Sequence, residues 1–294
     1  MRSDFHDLGE VSLHVVSAGD PAKPLIVFLH GFPEYWEAWR QVMERLADDF
    51  HVVAPDQRGF NLSSKPAGVD AYRAKRIVRD LAALADRLSP GRPFVLAGHD
   101  WGASVAYAYA FAHPDRLTHL VVANGPHPWC FQKAIIDDPE QRAASQYINA
   151  LRTSGMGARL AQDDYRRLER MFSGFSATRW MSDAQRAGYR EAWAQPGALE
   201  AMLNWYRASP VVVPPPLETP ESVPLLDYPR ETFRVATPHL VLWGEVDTAL
   251  RPSCIEGLED FAPVLRIERV AAAGHWILHE KPEEVASAIR AFVV

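Results

Sequence analysis

One turn constrains this chain more than any other stretch. The apolar run Val95-Leu96-Ala97 ends in Gly98-His99-Asp100-Trp101-Gly102, and a small-residue, apolar pattern from Ala103 to Ala112 follows at once. That is a strand, a tight turn and a helix. Glycine on either side lets the backbone reverse without Cβ collisions, so Asp100 is presented at the carboxyl end of a strand and beside a helix N-terminus. A carboxylate held there is a nucleophile or an anchor, and the turn by itself leaves both open.

The other apolar runs supply the sheet that such a turn needs. Leu25 to Leu29 is continuously apolar between Pro24 and His30-Gly31, the pattern of a strand buried on both faces of a parallel sheet. Further strands are expected at His51–Ala54, Phe94–Ala97, Leu117–Val122, His239–Trp243 and Val264–Val270, with helices over Trp36–Ala47 and Ala71–Leu88 between them. Glu10 to Ser17 alternates apolar and polar residues, and Ala18-Gly19-Asp20-Pro21 supplies a turn after it, which predicts an edge hairpin. Pro282 opens a closing helix, Glu283 to Val293, with two glutamates in its first turn to complement the helix dipole. Alternating strands and helices with short connections predict an α/β doubly wound, mostly parallel sheet, whose ligands sit at the carboxyl ends of the strands.

Past Asn124 the strand signals stop for about a hundred residues. Helical spacing predicts helices near Pro139–Arg152, Gln162–Phe172, Asp183–Gln195 and Ala198–Ala208. The segment Pro210 to Pro229 carries seven prolines, cannot continue a helix and is expected to be an extended connector. The expected organisation is a core of residues 1–125 and 235–294, with residues 126–234 forming an inserted helical subdomain and its proline-rich return.

Composition narrows the partners. The chain has 294 residues, is 48% hydrophobic and carries a net charge of −6. Without a Lys/Arg block it lacks the electrostatic footprint of a nucleic-acid or anionic-membrane binder. Met1 to Glu10 contains no apolar signal-peptide core, and no later run approaches the roughly 18 apolar residues of a membrane span. The expectation is a cytoplasmic protein, monomer or homodimer. Cys130 and Cys254 have no metal-ligand spacing and are too few for a disulfide framework, so they are read as packing residues or free thiols.

Three residues stand just beyond three strands: Asp100, Asp247 in Gly244-Glu245-Val246-Asp247, and His275 in Ala273-Gly274-His275-Trp276. Nucleophile, acid and histidine in that chain order are the α/β-hydrolase arrangement. An ionised carboxylate needs no proton removed before it attacks, so Asp100 can open a strained saturated carbon and become an ester. Water activated by His275, whose imidazole Asp247 orients, then attacks that ester. Backbone N–H groups of Trp101, next to the nucleophile, and of Phe32, in His30-Gly31-Phe32-Pro33, are the candidate oxyanion donors. His99 is read as a supporting packing or hydrogen-bonding residue.

His30-Gly31-Phe32-Pro33-Glu34, Asp56-Gln57-Arg58-Gly59, Gly98-His99-Asp100-Trp101-Gly102, Trp243-Gly244-Glu245-Val246-Asp247 and Gly274-His275-Trp276 together resemble the α/β-hydrolase-fold epoxide hydrolases. The resemblance implies an epoxide substrate, water as the second reactant, and neither cofactor nor metal. It also matches Leu203-Asn204-Trp205-Tyr206-Arg207 to the inserted segment that carries a ring-opening tyrosine, which makes Tyr206 the first candidate acid. Tyr147 is the candidate second phenol, although the family's usual residues after it are not reproduced in Asn149-Ala150-Leu151. Phe32, Trp36, Trp101, Trp129, Trp205 and Trp276 are aromatic residues of the site region, and all but Trp129 are expected to line an apolar substrate pocket. The rivals are a haloalkane or haloacid dehalogenase, which uses the same aspartate nucleophile, and a non-catalytic small-molecule receptor on the same fold. Phe32 stands where a haloalkane enzyme would place a second halide donor, and Trp101 where a haloacetate enzyme would place an arginine. The complete triad counts against the receptor. A serine esterase is excluded because Asp100 occupies the elbow.

Overall fold

The computed structural model describes residues 1–294. Eight strands form one sheet: β1 (Arg2–Asp7), β2 (Ser12–Ala18), β3 (Leu25–Leu29), β4 (His51–Pro55), β5 (Phe94–His99), β6 (Leu117–Ala123), β7 (His239–Gly244) and β8 (Leu265–Val270). Their spatial order is β1-β2-β4-β3-β5-β6-β7-β8. β1 and β4 run antiparallel to β2, and every later pairing is parallel. β3, β5 and β7 are buried along their whole length, as their unbroken apolar runs predict.

Alternation along each strand divides the apolar side chains between two layers. Val27, Leu29, Leu96, Leu120 and Val122 face one layer, which α2 (Ala74–Leu88) and α3 (Trp101–Ala112) cover. Ile26, Phe28, Val52, Ala97, Val121 and Leu242 face the other, closed by α1 (Arg40–Leu46), α11 (Ile277–Glu280) and α12 (Pro282–Val293). Pro282 occupies the first turn of α12, with Glu283 and Glu284 beside it, as expected.

Between β6 and β7 lies a helical insertion: α4 (Pro128–Asp137), α5 (Pro139–Ala144), α6 (Gln146–Arg152), α7 (Met156–Gly174), α8 (Asp183–Ala194), α9 (Ala198–Ala208) and the short α10 (Pro224–Asp227). No helix is long and apolar enough to cross a membrane. Both cysteines are buried and unpaired.

The structure differs from the sequence expectation in several places. The hairpin is made by β1 and β2, through a turn closed by Leu8 and Val11, and the turn after Ala18 leads to a strand that does not pair with β2. β1 is almost wholly exposed, so it carries no apolar signature to read. The helix expected over Pro139–Arg152 is two helices meeting at Ser145. α7 begins before Gln162 and is interrupted there, because Asp163, Asp164 and Tyr165 have positive φ. α4 was not foreseen.

Phe28 has no exposed surface and packs its ring 4.8 Å from that of Trp39. Phe28→Ala is expected to lower unfolding stability by about 3–5 kcal/mol in urea denaturation. A loss below about 1 kcal/mol would show that this layer is not close-packed.

Candidate active site

Asp100 occupies the turn between β5 and α3 with φ 51° and ψ −119°, a backbone conformation that a side chain strains to adopt. Two glycines make room for it. A Cβ on Gly102 would collide with the Leu29 carbonyl oxygen, and one on Gly31 would collide with the Asp100 carboxylate. The close approach brings the loop after β3 onto the carboxylate, and the Phe32 N–H donates to Asp100 Oδ1 at 2.8 Å. Trp101 is the first residue of α3, and its N–H makes no bond to the carboxylate in this state.

His275 follows β8 and lies between two carboxylates. Its Nδ1 is 2.8 Å from Asp247 Oδ2, and its Nε2 is 3.7 Å from Asp100 Oδ2. Asp247 is fixed in turn: its Oδ1 accepts the N–H groups of Ala249 and Leu250 at 2.8 and 2.9 Å. Burial pushes the pKa of His275 down, but the charge of Asp247, its hydrogen bond to the ring and the nearby charge of Asp100 outweigh it, raising the pKa to about 10.

The sequence reading missed Asn124. It follows β6 with φ 35°, and its Nδ2 donates to Asp247 Oδ2 at 2.7 Å while its Oδ1 accepts the Gly244 N–H at 2.9 Å. The available signal was positional: like Asp100, Asp247 and His275, it is a polar residue beyond the carboxyl end of a strand.

A cavity of about 270 Å³ opens over Asp100. Trp101, Tyr147, Trp205 and Tyr206 line it. The Tyr147 and Tyr206 ring centroids are 6.3 Å apart, and Phe32 and Trp101 each pack edge-on against Tyr206 at 5.1 Å. Phe32 thus supports a lining phenol from behind. Burial is the largest effect raising the pKa of both phenols, and the charge of Asp100 adds to it, so both remain protonated. Apart from Asp100 the wall carries no charged group, and Ile77, Phe111, Phe131, Val211 and Phe233 extend it.

Three expected lining residues lie outside the wall: Phe32, behind Tyr206, and two tryptophans further off. Trp36 is half-buried on a short 3₁₀ turn, beneath the guanidinium of Arg40 at 4.5 Å. Trp276 is only 1% exposed and packs behind the site against His99, His275 and Phe172. Trp129 also lies away, with Phe261 and Arg230. His99 has the supporting place expected of it, its Nε2 bonding the His275 carbonyl at 2.8 Å.

A carboxylate on a strained strand–helix elbow, with a backbone donor and a histidine–aspartate pair beyond later strands, is the site layout of the α/β hydrolases. The profile of the alpha/beta hydrolase fold family matches residues 24–282. The chain is 35% identical to the AB hydrolase superfamily protein YfhM of Bacillus subtilis over 96% of this chain and 94% of that protein. It is 31% identical to epoxide hydrolase 3 of Xenopus tropicalis over 96% of this chain and 75% of that one. The crystal structure of Bacillus megaterium epoxide hydrolase with an inhibitor superposes with a TM-score of 0.88 at 28% identity, covering 99% of both chains. The chain belongs to the epoxide hydrolase family of α/β-hydrolase-fold enzymes.

The raised pKa of His275 has a measurable sign. A group whose pKa rises on folding adds stability that is complete below its ordinary value, here 6.5, and disappears as the pH climbs through about 10. Wild-type stability relative to His275→Gln should therefore fall between those limits in parallel denaturation series. A difference that stays constant across the window would contradict the assignment.

Proposed function

We propose that this enzyme hydrolyses epoxides to vicinal diols through a covalent ester on Asp100. The observation that carries the reading is the pair of protonated phenols, Tyr147 and Tyr206, sharing one apolar cavity with the Asp100 carboxylate. A halide leaves without a proton, whereas an epoxide oxygen leaves as an alkoxide and needs an acid.

In the first step Asp100 Oδ2, the oxygen not held by Phe32, attacks a ring carbon. The carbon–oxygen bond of the ring breaks, and Tyr206 with Tyr147 donates to the departing oxygen. Oδ1 becomes the ester carbonyl and stays on the Phe32 N–H. Alkylation removes the negative charge of Asp100, one of the two carboxylates that hold the proton on His275. The pKa of the imidazole then falls, its proton neutralises the alkoxide so that both phenols stay protonated, and the neutral His275 takes a proton from water as the hydroxide oxygen attacks Asp100 Cγ. Phe32 and Trp101 N–H groups stabilise the tetrahedral oxyanion. Its collapse breaks the ester bond, the diol oxygen takes a proton from His275, and the carboxyl proton left on Asp100 passes back to the imidazole, restoring the carboxylate and the imidazolium. Asn124 and the two peptide N–H groups keep Asp247 aligned with the imidazole throughout.

The test is mass spectrometry with styrene oxide. His275→Gln should accumulate a single adduct on the peptide containing Asp100, while the wild type releases phenylethanediol. No diol from the wild type with a panel of epoxides, and no adduct on the variant, would refute the reading. Tyr206→Phe is expected to lower the alkylation rate by about 10²-fold or more, and Tyr147→Phe by less, since Tyr206 packs nearest Phe32 and Trp101. Stopped-flow tryptophan fluorescence would follow the step.

A further inference from the structure

The peptide of His275 is bonded on both sides. Its N–H donates to the carbonyl of Phe175, the residue just after α7 of the helical insertion, at 3.0 Å. Its carbonyl accepts from His99 Nε2 at 2.8 Å. Each bond belongs to a larger link between the insertion and the sheet, and each link is built around a carboxylate.

The first carboxylate is Glu280, at the end of α11. Its Oε1 accepts the N–H of Ala177 in the insertion at 2.9 Å, and its Oε2 accepts the N–H of Gly274 at 2.6 Å. Glu280 therefore ties the segment after α7 to the residue preceding the catalytic histidine. The backbones approach so closely that a Cβ on Gly274 would stand 2.7 Å from the Phe175 carbonyl oxygen. The second is Glu34, fully enclosed beneath the site. Its Oε1 accepts the Tyr189 hydroxyl of α8 at 2.8 Å and lies 2.6 Å from His279 Nε2. Its Oε2 is 3.3 Å from Nδ1 of His99, the ring that holds the His275 carbonyl. Trp180 of the insertion stacks on His279 at 3.8 Å and 5°. Neither Glu280 nor Tyr189 lines the cavity, and neither touches Asp100.

We propose that Glu280 and Tyr189 are positioning residues through which the helical insertion sets the placement of His275 for ester hydrolysis. The inference rests on the two-step reading above. Asp100 attacks the epoxide with no proton transfer to His275, whose imidazolium acts on it only as a charge at 3.7 Å, so alkylation is far less sensitive to this placement. Water attack requires the imidazole within hydrogen-bond reach of the water and is sensitive to it. The insertion thereby contributes to the second half-reaction through the backbone of the catalytic histidine as well as to the first through its phenols.

Glu280→Gln keeps the side-chain size but turns one of the two acceptors into a donor facing an N–H. Tyr189→Phe removes one hydroxyl and keeps the ring packed 4.8 Å from Phe172, so it stays interpretable if the first variant folds poorly. Rapid-quench and steady-state kinetics with styrene oxide would be run on both and on the wild type. The ester-hydrolysis rate should fall by about 10-fold in Glu280→Gln and by about 3-fold in Tyr189→Phe. Because only the later step slows, kcat and KM should fall together and kcat/KM should remain within about twofold of the wild type. A lower kcat at constant KM, the mark of a smaller folded fraction, would overturn the proposal. So would hydrolysis at the wild-type rate, or an equal slowing of alkylation. A wild type that forms no Asp100 ester removes the underlying reading and this proposal with it, whereas wild-type ester with unaffected hydrolysis in both variants overturns this proposal alone.

Discussion

Everything at this site depends on the conformation of Asp100. A non-glycine residue at φ 51° and ψ −119° costs on the order of 1–3 kcal/mol and survives only where its surroundings over-determine it. Here they do. α3 packs so tightly on the loop after β3 that Gly102 leaves no space for a side chain against the Leu29 carbonyl, and Gly98 meets the Gly102 carbonyl in the same way. The pairing of β3 with β5, which sets Leu29 opposite Gly98, brings the Phe32 N–H onto the carboxylate. The placement of the Asp100 carboxylate, its backbone strain and its Phe32 N–H partner are consequences of one close contact between two neighbouring strand ends.

Charge is arranged around the same point. Two carboxylates flank one buried imidazole, and a buried imidazolium is stable only because both are present. That makes the basicity of His275 dependent on the state of Asp100. In the proposed two-step reaction, a free Asp100 carboxylate holds the proton on the ring and an Asp100 ester would not, so ester formation itself would turn His275 from an electrostatic partner into a base for water without any large movement.

Much of this was legible in the residues, for identifiable reasons. β3, β5 and β7 are buried on both faces, so their apolar runs are continuous and their ends are sharply marked by glycine and polar residues. Asp100 and Asp247 stand at such ends, whereas His275 follows the half-exposed β8 and is marked only by the glycine before it. Asn124 carries the same mark, but its role depends on the Gly244 N–H and Asp247 of the next strand, and spatial adjacency between strands is not written in local sequence. Trp36 and Trp276 were misplaced because closeness to a motif along the chain does not say where a ring points. Trp276 follows the catalytic histidine and turns its ring into the core behind it. β1 was invisible because an exposed edge strand has no buried face to impose alternation. The proline-rich return was legible as non-helical, yet it also contributes Val211 and Leu225 to the cavity wall.

The cavity's composition bears on how an aspartate can act as a nucleophile at all. In water a carboxylate is strongly solvated and weakly reactive; within a wall of aromatic and aliphatic side chains it loses most of that solvation. The Phe32 N–H and the imidazolium of His275 stand where water would otherwise solvate the carboxylate. Only one of them, Phe32, bonds at short range. Oδ2, at 3.7 Å from His275, is left underbonded and faces the cavity chemistry. The phenols of Tyr147 and Tyr206 are held neutral by the burial that desolvates Asp100, so in the proposed reaction one apolar enclosure would prepare both the nucleophile and the acid.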